Sequence, residues 1–166
     1  PERAITTHPE VVRAVVREIR RAGGVPVVGD NPAAHGQKAV LARSGIAAVL
    51  KDEGVELADM APTVRIGAPE ARAYHGFDVS RAVAEADVLL NLPKLKTHSL
   101  THMTLAVKNL FGLIPGLEKA RWHFRAQTSE DFAVLLVDLY AALLHHRGAP
   151  PRMLHLLDGV LALEGE

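Results

Sequence analysis

The sequence has no cysteine at all, only seven aromatic residues among 166, no excess of either charge and no long apolar run. Without cysteine there can be no disulfide, no thiolate nucleophile, and no cysteine-ligated zinc or iron–sulfur cluster held by this chain. No stretch approaches the 18 uninterrupted apolar residues of a transmembrane helix. With so few aromatics, a stacking platform for single-stranded nucleic acid is not expected. Lys+Arg and Asp+Glu stand at 19 each, so no global basic field argues for nucleic acid, although a sum conceals distribution. What the chain does have is 48% hydrophobic residues and nine histidines. The first excludes wholesale disorder, and the second is a surplus to explain.

Length and the absence of linker-like or repetitive segments favour a single domain over 1–166. No basic-then-apolar leader opens the chain, which reads as cytoplasmic with no membrane segment. Pro1 at the start, and Glu164-Gly165-Glu166 directly after an apolar run, lead us to expect incompleteness at both ends.

Local patterns predict an alternation of strands and helices. Thr7 and Glu10 have capping-box spacing around Pro9, and Val11, Val12, Val15, Val16 and Ile19 follow at helical spacing up to Gly23-Gly24. Residues 37–52 read as helix broken at Ser44-Gly45, 78–86 as a short helix, and 102–111 as another. Thr128 with Asp131 opens the clearest helix, with Phe132, Leu135, Leu136, Leu139, Tyr140, Leu143 and Leu144 on one face. Apolar runs at 25–29, 55–58, 88–92 and 153–157, with a shorter one at 64–66, read as strands. Continuous apolar strands between amphipathic helices predict an α/β fold with a mainly parallel sheet and helices on both faces. The four principal runs end at Asp30, Asp59, Asn91 and Asp158. In an open parallel sheet such ends share one ligand-binding edge, although Asp and Asn also favour the turns that follow strands.

The chemistry concentrates in residues 91–125, which carry six Lys/Arg against the single Glu118, a net +5. The rest of the chain holds 13 against 18, or −5, so the neutral protein is polarised. Pro93 favours an extended chain, in which Lys94, Lys96 and His98 share a face. Thr101, Thr104 and Lys108 would share a face of the following helix. Strand end, cationic loop and helix start together suit phosphate or carboxylate. Neither standard Gly-rich nucleotide fingerprint is present. Exposed lysine is the commonplace alternative, but these cations sit among Leu, Val and Phe directly after a buried strand. A metal alternative uses His98 and His102 at i, i+4 with His123, and Asp30 or Asp158 as carboxylate, against the repulsion of nearby lysines. Phe111 and Phe124 read as packing residues. His8, His35, His75, His145, His146 and His155 read as structural or exposed. None of Ser44, Ser80, Ser99 and Ser129 stands in a nucleophile elbow.

Leu92-Pro93-Lys94-Leu95-Lys96-Thr97-His98, followed by Thr104-Leu105-Ala106-Val107-Lys108-Asn109-Leu110-Phe111-Gly112, resembles the central signature of the domain of unknown function 362 family. Thr7-His8-Pro9-Glu10, Gly29-Asp30, His123, Asp158-Gly159 and Glu164-Gly165 fit the same resemblance in order. Family members commonly start with a further strand and continue past the Glu-Gly, so the resemblance implies a core fragment of a longer domain. Some are fused to ferredoxin-like modules, which implies an iron–sulfur protein as partner and a redox link, although this chain can ligate no such cluster itself. The family has no established reaction.

These readings converge on an enzyme-like site for a small anionic ligand, substrate or cofactor, of unknown identity. Asn91, Lys94, Lys96, Thr104, Lys108 and Asn109 would bind and orient it, and His98, His123, Asp30 and Asp158 would do the chemistry. The rival classes are a non-catalytic anion- or partner-binding domain and a metal-dependent hydrolase on the histidines and aspartates.

Overall fold

The computed structural model describes residues 3–32, 36–148 and 152–165; His35 lies outside them. The chain opens with helix α1 (Pro9–Arg21). Its cap is His8 rather than Thr7: the His8 imidazole accepts from the Glu10 N–H, and Pro9 fills the first turn, where no N–H is needed. Val12 and Val16 face inward, while Arg13, Arg17 and Arg20 converge on Glu53 from the outer side.

Strand β1 (Val27–Val28) leads to helices α2 (Gln37–Ser44) and α3 (Ile46–Asp52). The expected break falls between them, at Gly45, whose φ of 83° is the left-handed conformation that glycine adopts without a Cβ clash. Strand β2 (Glu56–Leu57) pairs parallel with β1. Val12, Val16, Leu41, Ile46, Val49, Leu50 and Val55 form one apolar cluster from these elements.

The following segment departs from expectation. Strands β3 (Thr63–Ile66) and β4 (Phe77–Ser80) form an antiparallel pair, so Asp78 lies in a strand and only Arg81–Ala84 is helical (α4). Phe77 and Val79 alternate inward, which is a strand pattern too short to stand out beside a cap signal. Strand β5 (Leu89–Asn91) follows, then β6 (Lys94–His98) and β7 (His102–Thr104). Residues 102–104 are therefore a hairpin strand, and helix α5 covers only Ala106–Leu110. His102 takes φ of 61°, a left-handed turn that closes the hairpin and cannot sit in a helix.

A 3-10 turn (Phe111–Leu113) leads to α6 (Leu117–Arg125), a helix with no simple apolar stripe in its sequence. Helix α7 (Ser129–Arg147) begins as expected: Thr128 accepts from the Asp131 N–H, and its hydroxyl donates back to the Asp131 carboxylate. Phe132, Leu135, Leu139 and Leu143 are buried in a second cluster with Ile66, Phe77, Val79, Leu110, Phe111 and Trp122. Each such side chain contributes about 1.5–3 kcal/mol by leaving water.

Strand β8 (Met153–His155) pairs parallel with β5, and β9 (Asp158–Leu163) pairs parallel with β6. Asp158 thus starts a strand instead of ending one. The fold is mixed α/β, but among the described residues the strands form four small sheets of mixed orientation rather than one mainly parallel sheet. No helix of the described residues is long and apolar enough to cross a membrane.

Candidate functional site

Lys94, Lys96 and His98 do alternate along an extended strand, as Pro93 predicts. Their surroundings then separate them. Lys94 is 5% exposed and its ammonium lies 2.8 Å from the Asp158 carboxylate, which is itself 2% exposed. The parallel register of β6 on β9 sets the pair directly opposite each other. Asp158 Oδ2 also accepts the His8 N–H at 2.8 Å, which joins the start of α1 to this sheet, and Thr7 donates to the Leu92 carbonyl. Burial works to raise the Asp158 pKa. The Lys94 ammonium and the His8 N–H, with a smaller contribution from the Val160 N–H, outweigh it and hold the carboxyl below its ordinary range.

Asn91, at the end of β5, is the centre of a second tie. Its amide nitrogen donates to the Ala106 carbonyl at 2.9 Å and lies 2.9 Å from His155 Nδ1, and its oxygen accepts from Asn109 at 2.7 Å. Asn91 and Asn109 therefore anchor α5 to the strand end.

Across the hairpin, Lys96 is opposite Thr104 and His98 opposite His102. The His98 ring accepts the Leu100 N–H at 3.1 Å and supports the turn. Thr104 is buried, and its hydroxyl has no hydrogen-bond partner among the described residues. The predicted helical face of Thr101, Thr104 and Lys108 does not form, because Thr101 lies in the turn and Thr104 in β7. The i, i+4 argument for His98 and His102 fails for the same reason. His123 sits apart on α6, and no group of three His, Asp or Glu among the described residues is placed to hold a metal ion.

A second centre forms around α6. Lys119, 8% exposed, donates to the carbonyl of Asn31 in the loop after β1, and Asn31 in turn donates to the Ile114 carbonyl at 3.1 Å. No carboxylate of the described residues comes within ion-pair distance of Lys119. Burial pushes its pKa down to about 8; Asp30 opposes this from farther away, and Lys108 adds to it. His123 stacks on Phe132 with ring centroids 4.8 Å apart and meets Phe111 edge-on, yet keeps much of its surface in solvent. Burial against these rings, then Lys108 and then Lys119, lowers its pKa. Lys108 itself lies 5.9 Å over the Phe111 ring.

Thus Asp30, Lys108 and His123 come together, with Lys119, a residue that sequence reasoning counted only as charge. Its signal was available: Lys119 and His123 stand at i, i+4 on one face of α6. Asp30 and Asp59 share a cleft of about 440 Å³ with Glu118, so two of the four acid or amide strand ends do meet. Asn91 and Asp158 belong to the other centre, where Asp158 Oδ2 is ion-paired and Asn91 is hydrogen-bonded through both its amide atoms. The arrangement sets an amine with its pKa lowered to about 8 beside an imidazole and a second ammonium, a combination typical of functional sites.

Known proteins place the chain in context. A curated relative is the thylakoid-associated protein sll1697 of Synechocystis sp. (strain ATCC 27184 / PCC 6803 / Kazusa), 37% identical over 168 residues. The alignment covers 99% of this chain and 49% of that relative, so the chain spans about half the relative's length. No solved structure matches. The Pro-Lys-Leu-Lys-Thr-His strand and the Lys-Asn pair of α5 are where the resemblance was read. The family match runs from residue 1 to residue 166, through both centres, and the chain belongs to the domain of unknown function family DUF362.

Proposed function

We propose that this chain binds a small anionic substrate or cofactor against Lys108, Lys119 and His123, beside the loop that follows β1. The observation that supports it is Lys119. It is a buried amine whose nearest partner is a carbonyl, in a place where a second lysine adds positive charge and an imidazole is held toward its neutral form. A charge held out of water without a counter-ion is costly, and an arriving anion would supply the missing one. Lys108 would bind the anion, Lys119 and His123 would move protons, and Asp30 would bound the site on its acidic side. An enzyme-like role fits an amine whose pKa is lowered to about 8 beside an imidazole held toward its neutral, proton-accepting form. Lys94, Asp158, Asn91 and Asn109 would position the elements. The hairpin residues Lys96, His98 and Thr104 would border the site, with the Thr104 hydroxyl available to a ligand.

Calorimetric titration with inorganic pyrophosphate tests this reading. We expect saturable binding that weakens at least tenfold in Lys108→Ala and in Lys119→Ala, with the exposed Lys51→Ala as a control. Absence of binding, or equal binding in all four proteins, would refute it.

A further inference from the structure

A second cleft lies at the other end of α6, beside the loop end of the β3–β4 hairpin. It encloses about 440 Å³, and its lining includes Arg65, His75, Trp122 and Arg125 with no acid among the lining residues. That volume is within the range of small-molecule sites, about 300–1,000 Å³. We propose that this cleft is a separate binding site for a small molecule carrying an oxyanion, carboxylate or phosphate, recognised by the guanidinium groups of Arg65 and Arg125.

Three features fix the cationic wall in place. Arg125 lies over the indole of Trp122 at 4.8 Å and donates no hydrogen bond to any described residue, so its planar fork is oriented and unspent. Trp122 is held in turn by Phe77 at 5.1 Å and by Tyr74 edge-on at 5.5 Å. Arg65 uses one nitrogen on Asp78 at 2.7 Å. Its guanidinium packs directly on Gly76, where a Cβ would come within 2.9 Å of Nη2. The hairpin mouth is equally tight, because a Cβ on Gly67 would stand 2.3 Å from the His75 carbonyl oxygen.

The third wall is a loop with a buried anchor. Asp138, 1% exposed on the inward face of α7, accepts the backbone N–H groups of Arg72, Ala73 and Tyr74 at 2.8–2.9 Å. A buried carboxylate is expensive, and its three N–H partners offset that cost while fixing the segment that carries Tyr74 and His75. The cleft is thereby set without a ligand, as a site must be to bind without a large ordering cost. The cleft at the opposite end of α6 has the same volume but has Asp30, Asp59 and Glu118 in its lining.

Trp122 is the only tryptophan in the sequence, so its fluorescence reports on this cleft. Citrate and inorganic phosphate, titrated separately into the full chain, distinguish a carboxylate from a phosphate preference. We expect a saturable change with at least one of them, about tenfold weaker in Arg125→Gln and in Arg65→Ala and unchanged in Lys108→Ala. Gly76→Ala, which displaces only the tip of a flexible side chain, should weaken binding several-fold while the thermal midpoint holds. No saturable response to either anion overturns the proposal, as does a response that survives both arginine substitutions or is lost only in Lys108→Ala.

Discussion

Lys94 and Lys119 are both buried lysines in one short segment, and they are buried in opposite ways. Lys94 faces a carboxylate at 2.8 Å, and that carboxylate is also tied to the start of α1. Lys119 faces a peptide carbonyl, with Asp30 at a distance and Lys108 pressing on the same side. Removing two charges from water is tolerable when each neutralises the other and costly when one stands alone. The first arrangement locks β6, β9 and α1 together. The second keeps an amine near its titration point, which suits chemistry rather than architecture. On our proposal the lysine that heads the sequence motif is a strut, and an inconspicuous one on α6 is the functional one.

The sharpest way to break this comparison is to remove one member of the compensated pair. Lys94→Met should destabilise the protein by about 3–5 kcal/mol, because it strands the Asp158 carboxylate. Urea unfolding would show it, and Lys94→Met/Asp158→Leu should recover part of the loss. A Lys94→Met loss below about 1 kcal/mol would mean the pair is not a strut. Its acid limb carries a sign as well. The folded pKa of Asp158 is depressed, so its contribution is present above the ordinary carboxylate pKa and disappears as pH falls through the folded value. Lys94→Met should therefore flatten the acid side of the stability profile.

Asp138 extends the comparison to a charge satisfied by backbone. Asp138→Asn presents an amide NH₂ where a carboxylate oxygen accepted N–H groups, and should cost about 1–3 kcal/mol in thermal or urea unfolding. Trp122 emission should shift with it, since Tyr74 packs on that ring. A neutral result would place Asp138 with the dispensable surface acids.

How far these residues could be read from sequence follows their locality. Helices α1 and α7, the break at Gly45 and the extended run through Lys94, Lys96 and His98 all rest on spacing within a few residues, and all are present. The His98–His102 hairpin was not legible, because i, i+4 histidines suit a helix equally well and nothing in the sequence marks the positive φ at His102. Asp158-Gly159 looked like a turn after a strand. It instead opens β9, where Gly159 lies against Leu95. The burial of Asp138 and Lys119 was illegible for a shared reason, although the i, i+4 spacing of Lys119 and His123 was there to be read: each is held by backbone groups 64 or more residues away. The candidate site was half legible, in Asp30, Lys108 and His123 but not in the lysine that gives the site its character.

Lys119→Met sharpens the contrast by moving the other way. At pH 7 it should stabilise the fold by about 0.5–2 kcal/mol while abolishing pyrophosphate binding. The folded pKa of Lys119, about 8, is below its ordinary 10.5, so the unfolded chain binds more protons between those values and the parent gains stability as pH rises through them. The variant's advantage should be full below pH 8 and gone by pH 10.5. An advantage that ignores pH would point to packing instead of charge.

The most direct measurement is the titration of the Lys119 amine itself, followed by NMR of the isotopically labelled side chain with and without inorganic pyrophosphate. Our account predicts a midpoint near 8 in the free protein and an upward shift when the anion supplies the missing counter-charge. A midpoint at the ordinary lysine value, unmoved by pyrophosphate, would contradict it.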